Sequence, residues 1–199
     1  MTQNQIKRTA CRPLNSDEQT RVLMSATRAR QVAAWLLMSG AGLRSASALA
    51  LTLGDARLAV RDGVIRLPKS AVKRARAATV LPLRPEARVA LGIWLCARTE
   101  EDNAAPLFGV SRVTMWCDFR AMFAAAGLEG MDVPGLMGTH VARKTFARRV
   151  MVAARDAAQK NGAIEPLEIA RRALGHGSLA TTVAYLPVST EDVFDAILA

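Results

Sequence analysis

The chain contains a single tyrosine, Tyr185, and two histidines, His140 and His176. His176 precedes Tyr185 by nine residues, in the stretch "ARRALGHGSLATTVAYLPV" (170–188), on a short polar run between two helical patterns. His140 stands three residues before Arg143 in "GTHVARKTF" (138–146). Thr139 can cap a helix there, which places His140 and Arg143 on one face of its first turn, where a phosphate is well received. Arg44 follows "GAGL" at a turn into another helix, so that its guanidinium and the free N–H groups of the helix start could meet the same anion. "LPKSAVKRARAATVLPL" (67–83) sets Lys69 at the end of a strand and Lys73, Arg74 and Arg76 in a basic turn. Taken singly, each has an ordinary reading: a packed tyrosine, a solvated His–Arg face, a surface arginine, a solvated loop. Together they are one phenol among cations, suited to holding and attacking an anion.

The elements that must position these residues follow from the apolar period. "SDEQ" (16–19) reads as a capping box opening a helix that runs to about Met38, with Gly40 and Gly42 ending it. "RSASALALTL" (44–53) reads as a second, shorter helix. "ARLAV" and "GVIRL" then flank Arg61-Asp62 as a hairpin, with "ATVLPL" (78–83) as a third strand. Helices are expected at about 85–98, 111–126, 140–161, 166–174, 179–186 and 190–198, with caps at Thr139, Ser111, Ser178 and Ser189 or Thr190. Phe146, Val150, Ala153 and Ala157 form the stripe that should anchor helix 140–161 to the core. The fold class is mainly α with a small antiparallel β-sheet (α+β), in one domain.

Composition narrows the chemistry. Lys and Arg total 27 against 17 acidic residues, a net charge of +10 in 199 residues, which suits a polyanion. About half the residues are hydrophobic, enough for a packed core. No apolar run reaches membrane-spanning length and the N-terminus has no signal core. Three scattered cysteines, Cys11, Cys96 and Cys117, read as free thiols of a reducing cytoplasm. The distant histidines and the missing HExxH and CxxC patterns give no metal site, and no phosphate-cradling glycine motif is present.

In order, "GLRSASALAL", the Lys69 segment, "HVARKTF" and "LGHGSLATTVAY" resemble the motifs of the tyrosine recombinases, the phage integrase family. The resemblance spans about residues 14–199 and implies the catalytic-domain fold of that family, preceded by an arm at 1–13 and lacking the family's N-terminal DNA-clamping domain. It implies six catalytic residues: Arg44 and Arg143 on the phosphate oxygens, His176 donating to the same phosphate, Lys69 as general acid (Lys73 in reserve), His140 taking the phenol proton, and Tyr185 as nucleophile. Lys73, Arg74, Arg76 and Lys144 are expected DNA contacts, Lys144 standing where relatives often carry a second His. The acidic residue usual after "GLRxS" is missing, and the interval from Arg143 to His176 is long, so helix 140–161 is expected to protrude. Further expectations are strand exchange on double-stranded DNA through a 3′-phosphotyrosine without metal, ATP or other cofactor, a homotetramer on DNA with helix 190–198 docking in trans, and accessory DNA-binding proteins. A non-catalytic DNA-binding remnant and a type IB topoisomerase are the alternatives.

Overall fold

A computed structural model describes residues 12–67, 79–128, 139–160, 162, 165–176 and 178–186. Its elements, in chain order, are α1 (Ser16–Met24), α2 (Ala29–Ala41), α3 (Ser45–Leu49), α4 (Leu53–Asp62), β1 (Val64–Leu67), β2 (Thr79–Pro82), α5 (Pro85–Cys96), α6 (Arg112–Ala125), α7 (Thr139–Lys160), α8 (Pro166–Leu174) and α9 (Leu179–Tyr185). The α+β expectation holds: the described residues are mainly helical, with one two-stranded antiparallel sheet.

The long first helix of the sequence reading is two helices. Its box is set one residue earlier than expected: Asn15 accepts from the Glu18 backbone and Glu18 accepts from the Asn15 backbone, both at 2.9 Å. After Met24 the Ser25 hydroxyl bonds the Val22 and Met122 carbonyls, each at 2.7 Å, tying the break to α6. Gln31 then reaches back to the Thr27 and Arg28 amides at 2.9 and 3.1 Å, satisfying donors that a new helix start leaves open.

The expected hairpin at Arg61-Asp62 is also corrected. Residues 53–62 are helical because Thr52 and Asp55 form a capping box and Gly63, at φ 71°, ends the helix. Leu53, Ala56 and Ala59 recur at helical spacing and are buried. The sheet instead pairs β1 with β2, Val64 opposite Pro82 and Leu67 opposite Thr79. The basic segment 68–78, with Lys69, Lys73, Arg74 and Arg76, joins these strands in sequence and lies outside the described residues, as does the expected helix at 190–198.

α2 is the axis of the core. Its Trp35 meets Phe119 and Phe123 of α6 edge-on, with ring centroids 5.6 and 5.7 Å apart. α5 and α7 also pack on α2, and α7 carries α8, which carries α9. A second, smaller cluster joins Phe146 and Ala147 of α7 to Leu174 of α8, with Val150 and Leu186 against it. The expected anchoring stripe departs at one position. Phe146 is buried and Val150 and Ala157 partly so, but Ala153 is exposed and Ala154 faces inward. Burial is continuous over 141–147 and sparse beyond, so the far half of α7 projects from the core. No helix among the described residues is long and apolar enough to cross a membrane.

Candidate DNA-processing site

Three of the residues singled out in the sequence, Arg44, Arg143 and His176, lie on two helix-end turns and the helix that joins them. Arg44 is the N-cap of α3, just after the left-handed Gly42 (φ 68°) that ends α2. Glycine is needed there twice over: L side chains resist that conformation, and a Cβ would collide with the Phe146 ring. His176 follows Gly175, which ends α8 in the same way at φ 61°. Arg143 lies in the enclosed part of α7 at 6% exposure.

Arg143 joins the two turns. Its Nη1 donates to the Gly42 carbonyl and its Nη2 to the Leu174 carbonyl, each acceptor standing two residues before a candidate site residue, Arg44 and His176 respectively. Both acceptors belong to helix C-termini, whose unpaired carbonyls and dipoles favour a cation. A planar guanidinium can span two such acceptors; an ammonium could not hold both in one plane. One buried arginine therefore fixes the separation of two loops that are distant in sequence. Arg149, two turns on, adds a second tie to the same helix end. Its Nη2 donates to the Ser39 and Gly40 carbonyls at 2.8 and 2.9 Å, while its guanidinium lies 5.7 Å from the Phe146 ring.

His176 is buried at 7% exposure, and its Nδ1 lies 3.1 Å from the Thr182 hydroxyl. Burial, and then the charges of Arg143 and Arg44, push its pKa down to about 4. The charges of both arginines thus act on this one imidazole. At neutral pH the ring is uncharged and carries one N–H donor. Two guanidinium groups and a neutral imidazole donor are a set that suits a phosphodiester, which offers two non-bridging oxygens and one negative charge.

The depressed pKa has a thermodynamic consequence. The unfolded chain takes up this proton near pH ~6.5 and the folded chain only near 4, so folding stability falls as pH drops through that interval. Asp62 and Glu168, held at about 2 by their neighbouring arginines, lose their contributions only below the ordinary carboxylate range. Thermal melts between pH 7 and 4.5 should therefore show a progressive loss that His176→Gln removes. An unchanged slope in that variant would place the titration elsewhere.

The remaining candidates sit differently. His140 and Arg143 do not share a face: His140 is exposed at the start of α7 while Arg143 points inward. Lys144 is not at the surface expected of a DNA contact. It is only 4% exposed, because α7 is enclosed on every side from Val141 to Ala147. Tyr185 is the last residue of α9, a seven-residue helix opened by Ser178, which accepts from the Thr181 amide. Sequence reasoning missed Arg149 and Thr182. The only signal for Thr182 was its place one helical turn before Tyr185. Among the described residues, no group of three His, Cys, Asp or Glu side chains could hold a metal ion.

The model of the phage integrase family matches residues 12–192. No curated protein sequence matches the chain. Among solved structures, XerA recombinase superposes with a TM-score of 0.70 at 20% identity, over 94% of this chain and 64% of that one. XerH site-specific recombinase, in a post-cleavage complex with a palindromic difH substrate, gives 0.64 at 19% identity, over 94% and 53%. The Tn1549 transposon integrase, in complex with circular intermediate DNA, gives 0.63 at 16% identity, over 94% and 66%. These likenesses establish a shared fold, and the chain spans between 53% and 66% of the length of those three proteins.

Proposed function

Because the chain belongs to the phage integrase family, we propose that it is a site-specific DNA recombinase, cutting and rejoining strands through a covalent 3′-phosphotyrosine at Tyr185. The observation that carries this reading is the Arg143 bridge. One guanidinium bonds both loops that bear the other phosphate-binding candidates, and the three groups share one electrostatic environment.

In the proposed step the Tyr185 oxygen attacks the scissile phosphorus. A phosphorus–oxygen bond to tyrosine forms as the bond to the 5′-oxygen breaks. The phenol proton passes to His140, and Lys69 gives a proton to the departing 5′-oxygen. General acid catalysis of this kind is typically worth ~10²–10⁴-fold. Arg44 and Arg143 stabilise charge on the non-bridging oxygens, and His176 donates a further hydrogen bond, since phosphoryl transfer depends mainly on positioning and electrostatics. A guanidinium has five N–H donors, so bonding two carbonyls and a phosphate is compatible with its chemistry. The 5′-hydroxyl of a second strand reverses the step. One phosphodiester replaces another, so the bond energy is retained and no ATP hydrolysis is required. The basic residues Lys73, Arg74 and Arg76 are proposed to grip the duplex, and the protein to act as a tetramer on paired sites, with segment 190–198 reaching a neighbouring copy.

The test is covalent trapping on nicked suicide duplexes drawn from the flanks of the gene. The reading calls for a protein–DNA adduct that survives denaturation and forms equally in EDTA. DNA affinity should fall steeply with salt, as several phosphate contacts demand. Binding without any adduct would instead indicate a DNA-binding remnant. Relaxation of supercoils without strand joining would indicate a topoisomerase.

A further inference from the structure

One buried hydroxyl has no part in the mechanism above. Thr182 is 0% exposed, sits one turn before Tyr185 in α9, and places its Oγ1 3.1 Å from His176 Nδ1 and 3.4 Å from the Ser178 carbonyl. We propose that Thr182 selects the tautomer of His176: its hydroxyl donates to Nδ1, so that Nε2 carries the imidazole proton and offers it to the scissile phosphate. This rests on the phosphate-transfer reading of the site and deepens it.

The number of ring protons decides which nitrogen can donate. The His176 ring is neutral at physiological pH, since burial and two neighbouring guanidinium groups oppose a second proton. A neutral imidazole has one N–H and one lone pair. If the proton sat on Nδ1, Nε2 would turn its lone pair toward any phosphate oxygen it met, and the contact would be repulsive. Which nitrogen is protonated is set by the partner of the other one. The Thr182 hydroxyl has a single hydrogen and two acceptors in reach. Given to the Ser178 carbonyl, it would force Nδ1 to act as donor and produce the unproductive tautomer. Given to Nδ1, it produces the donor on Nε2. The separations favour the second arrangement: 3.1 Å is a serviceable hydrogen bond, whereas 3.4 Å is at the long limit. α9 gains its cap elsewhere, because Ser178 Oγ already accepts from the Thr181 amide at 3.3 Å. The Thr182 hydrogen is therefore not needed to start the helix.

The same bond has a mechanical side. Thr182 and Tyr185 share a seven-residue helix, too short to be stable alone. Tying Thr182 to His176 fixes that helix to the loop that holds the phosphate. Thr182 is thus a positioning residue that acts through His176, with no contact of its own to DNA.

Two readouts test this on the full chain. The first is the ¹⁵N spectrum of histidine-labelled protein, free and with a nicked duplex, using His140→Gln to assign the signals. Nε2 of His176 should carry the proton in the wild type, and Thr182→Val should shift the ring toward the other tautomer. The second is the rate of adduct formation at saturating duplex. It should fall about tenfold or more in Thr182→Val, with half-saturating DNA within about twofold of wild type. Thr182→Ser, which keeps the hydroxyl, should stay within about threefold of wild type. A proton on Nδ1 in the wild type overturns the proposal, as does Thr182→Val cleaving at the normal rate. If Thr182→Val fails to fold, the wild-type spectrum and the serine variant still decide. A wild-type chain that binds the duplex but forms no adduct removes the recombinase reading itself, which is a distinct outcome.

Discussion

Tyr185→Phe should bind DNA as the wild type does and cut none of it. The change removes one oxygen, the atom proposed to form the bond to phosphorus, and leaves the ring and the helix-forming tendency of α9 nearly as they were. Loss of a covalent nucleophile is on the order of 10⁴-fold or worse in rate, because no neighbouring group can take over the bond. No other tyrosine exists in the chain to substitute for it. Affinity for duplex DNA should stay within about twofold, since binding comes from cations meeting phosphates and the phenol contributes no charge. The measurement is a pair: adduct on a suicide duplex, and equilibrium binding at fixed salt. An adduct that persists in the phenylalanine variant would assign the chemistry to another residue and sink the mechanism.

Arg143→Ala should fail in two ways at once. The chemical loss is that of a donor proposed to meet the charge of the transition state, about 10²–10³-fold or more in cleavage. The structural loss is separate. Arg143 is buried and bonded to the Gly42 and Leu174 carbonyls, so truncation leaves two enclosed helix-end acceptors unpaired and a cavity between α2 and α8. An unsatisfied buried group typically costs about 1–3 kcal/mol, which in a domain of this size is a melting temperature lower by roughly 3–10 °C. Arg143→Lys restores the charge without the planar fork, so it should regain part of the stability and little of the cleavage. An alanine variant that melts normally would show that the bridge does not organise the two loops. One that cleaves normally would remove Arg143 from the site.

These two variants also separate kinds of evidence. The tyrosine was conspicuous in the sequence because it stood alone and because "LGH" preceded it at a fixed interval. Arg143 was conspicuous as part of "HVAR", but its position suggested an exposed face shared with His140. The structure places it in the interior, and its bridging bonds could not have been inferred, since both acceptors are backbone carbonyls that any sequence would supply. The burial of Lys144 was hidden for the related reason that helical spacing gives a face but not the neighbours that cover it. Thr182 was passed over because its place one turn before Tyr185 means little until a histidine ring is found beside it.

The elements themselves divide in the same way. α5, α6, α7, α8 and α9 fall within a few residues of the spans read from apolar period and caps, because those signals are local: an N-cap hydroxyl, a glycine at the C-terminus, a stripe at helical spacing. Where two local signals competed, periodicity alone chose wrongly. Residues 53–62 alternate well enough for a strand, yet the Thr52–Asp55 box and Gly63 make them a helix. The break at 25–28 depends on the Met122 carbonyl, far along the chain, and no local pattern announces it.

By itself, then, the order of residues determined the family, the helical spans from Pro85 onward and the identity of the groups suited to phosphate chemistry, because each is written in short-range spacing. Tertiary structure alone decided how the segments that carry them are joined. The turns bearing Arg44 and His176 are joined because two helix C-termini are drawn to one buried guanidinium, and burial with two nearby cationic charges keeps the imidazole neutral. Both effects act through space between segments far apart in the chain, and no spacing rule records them.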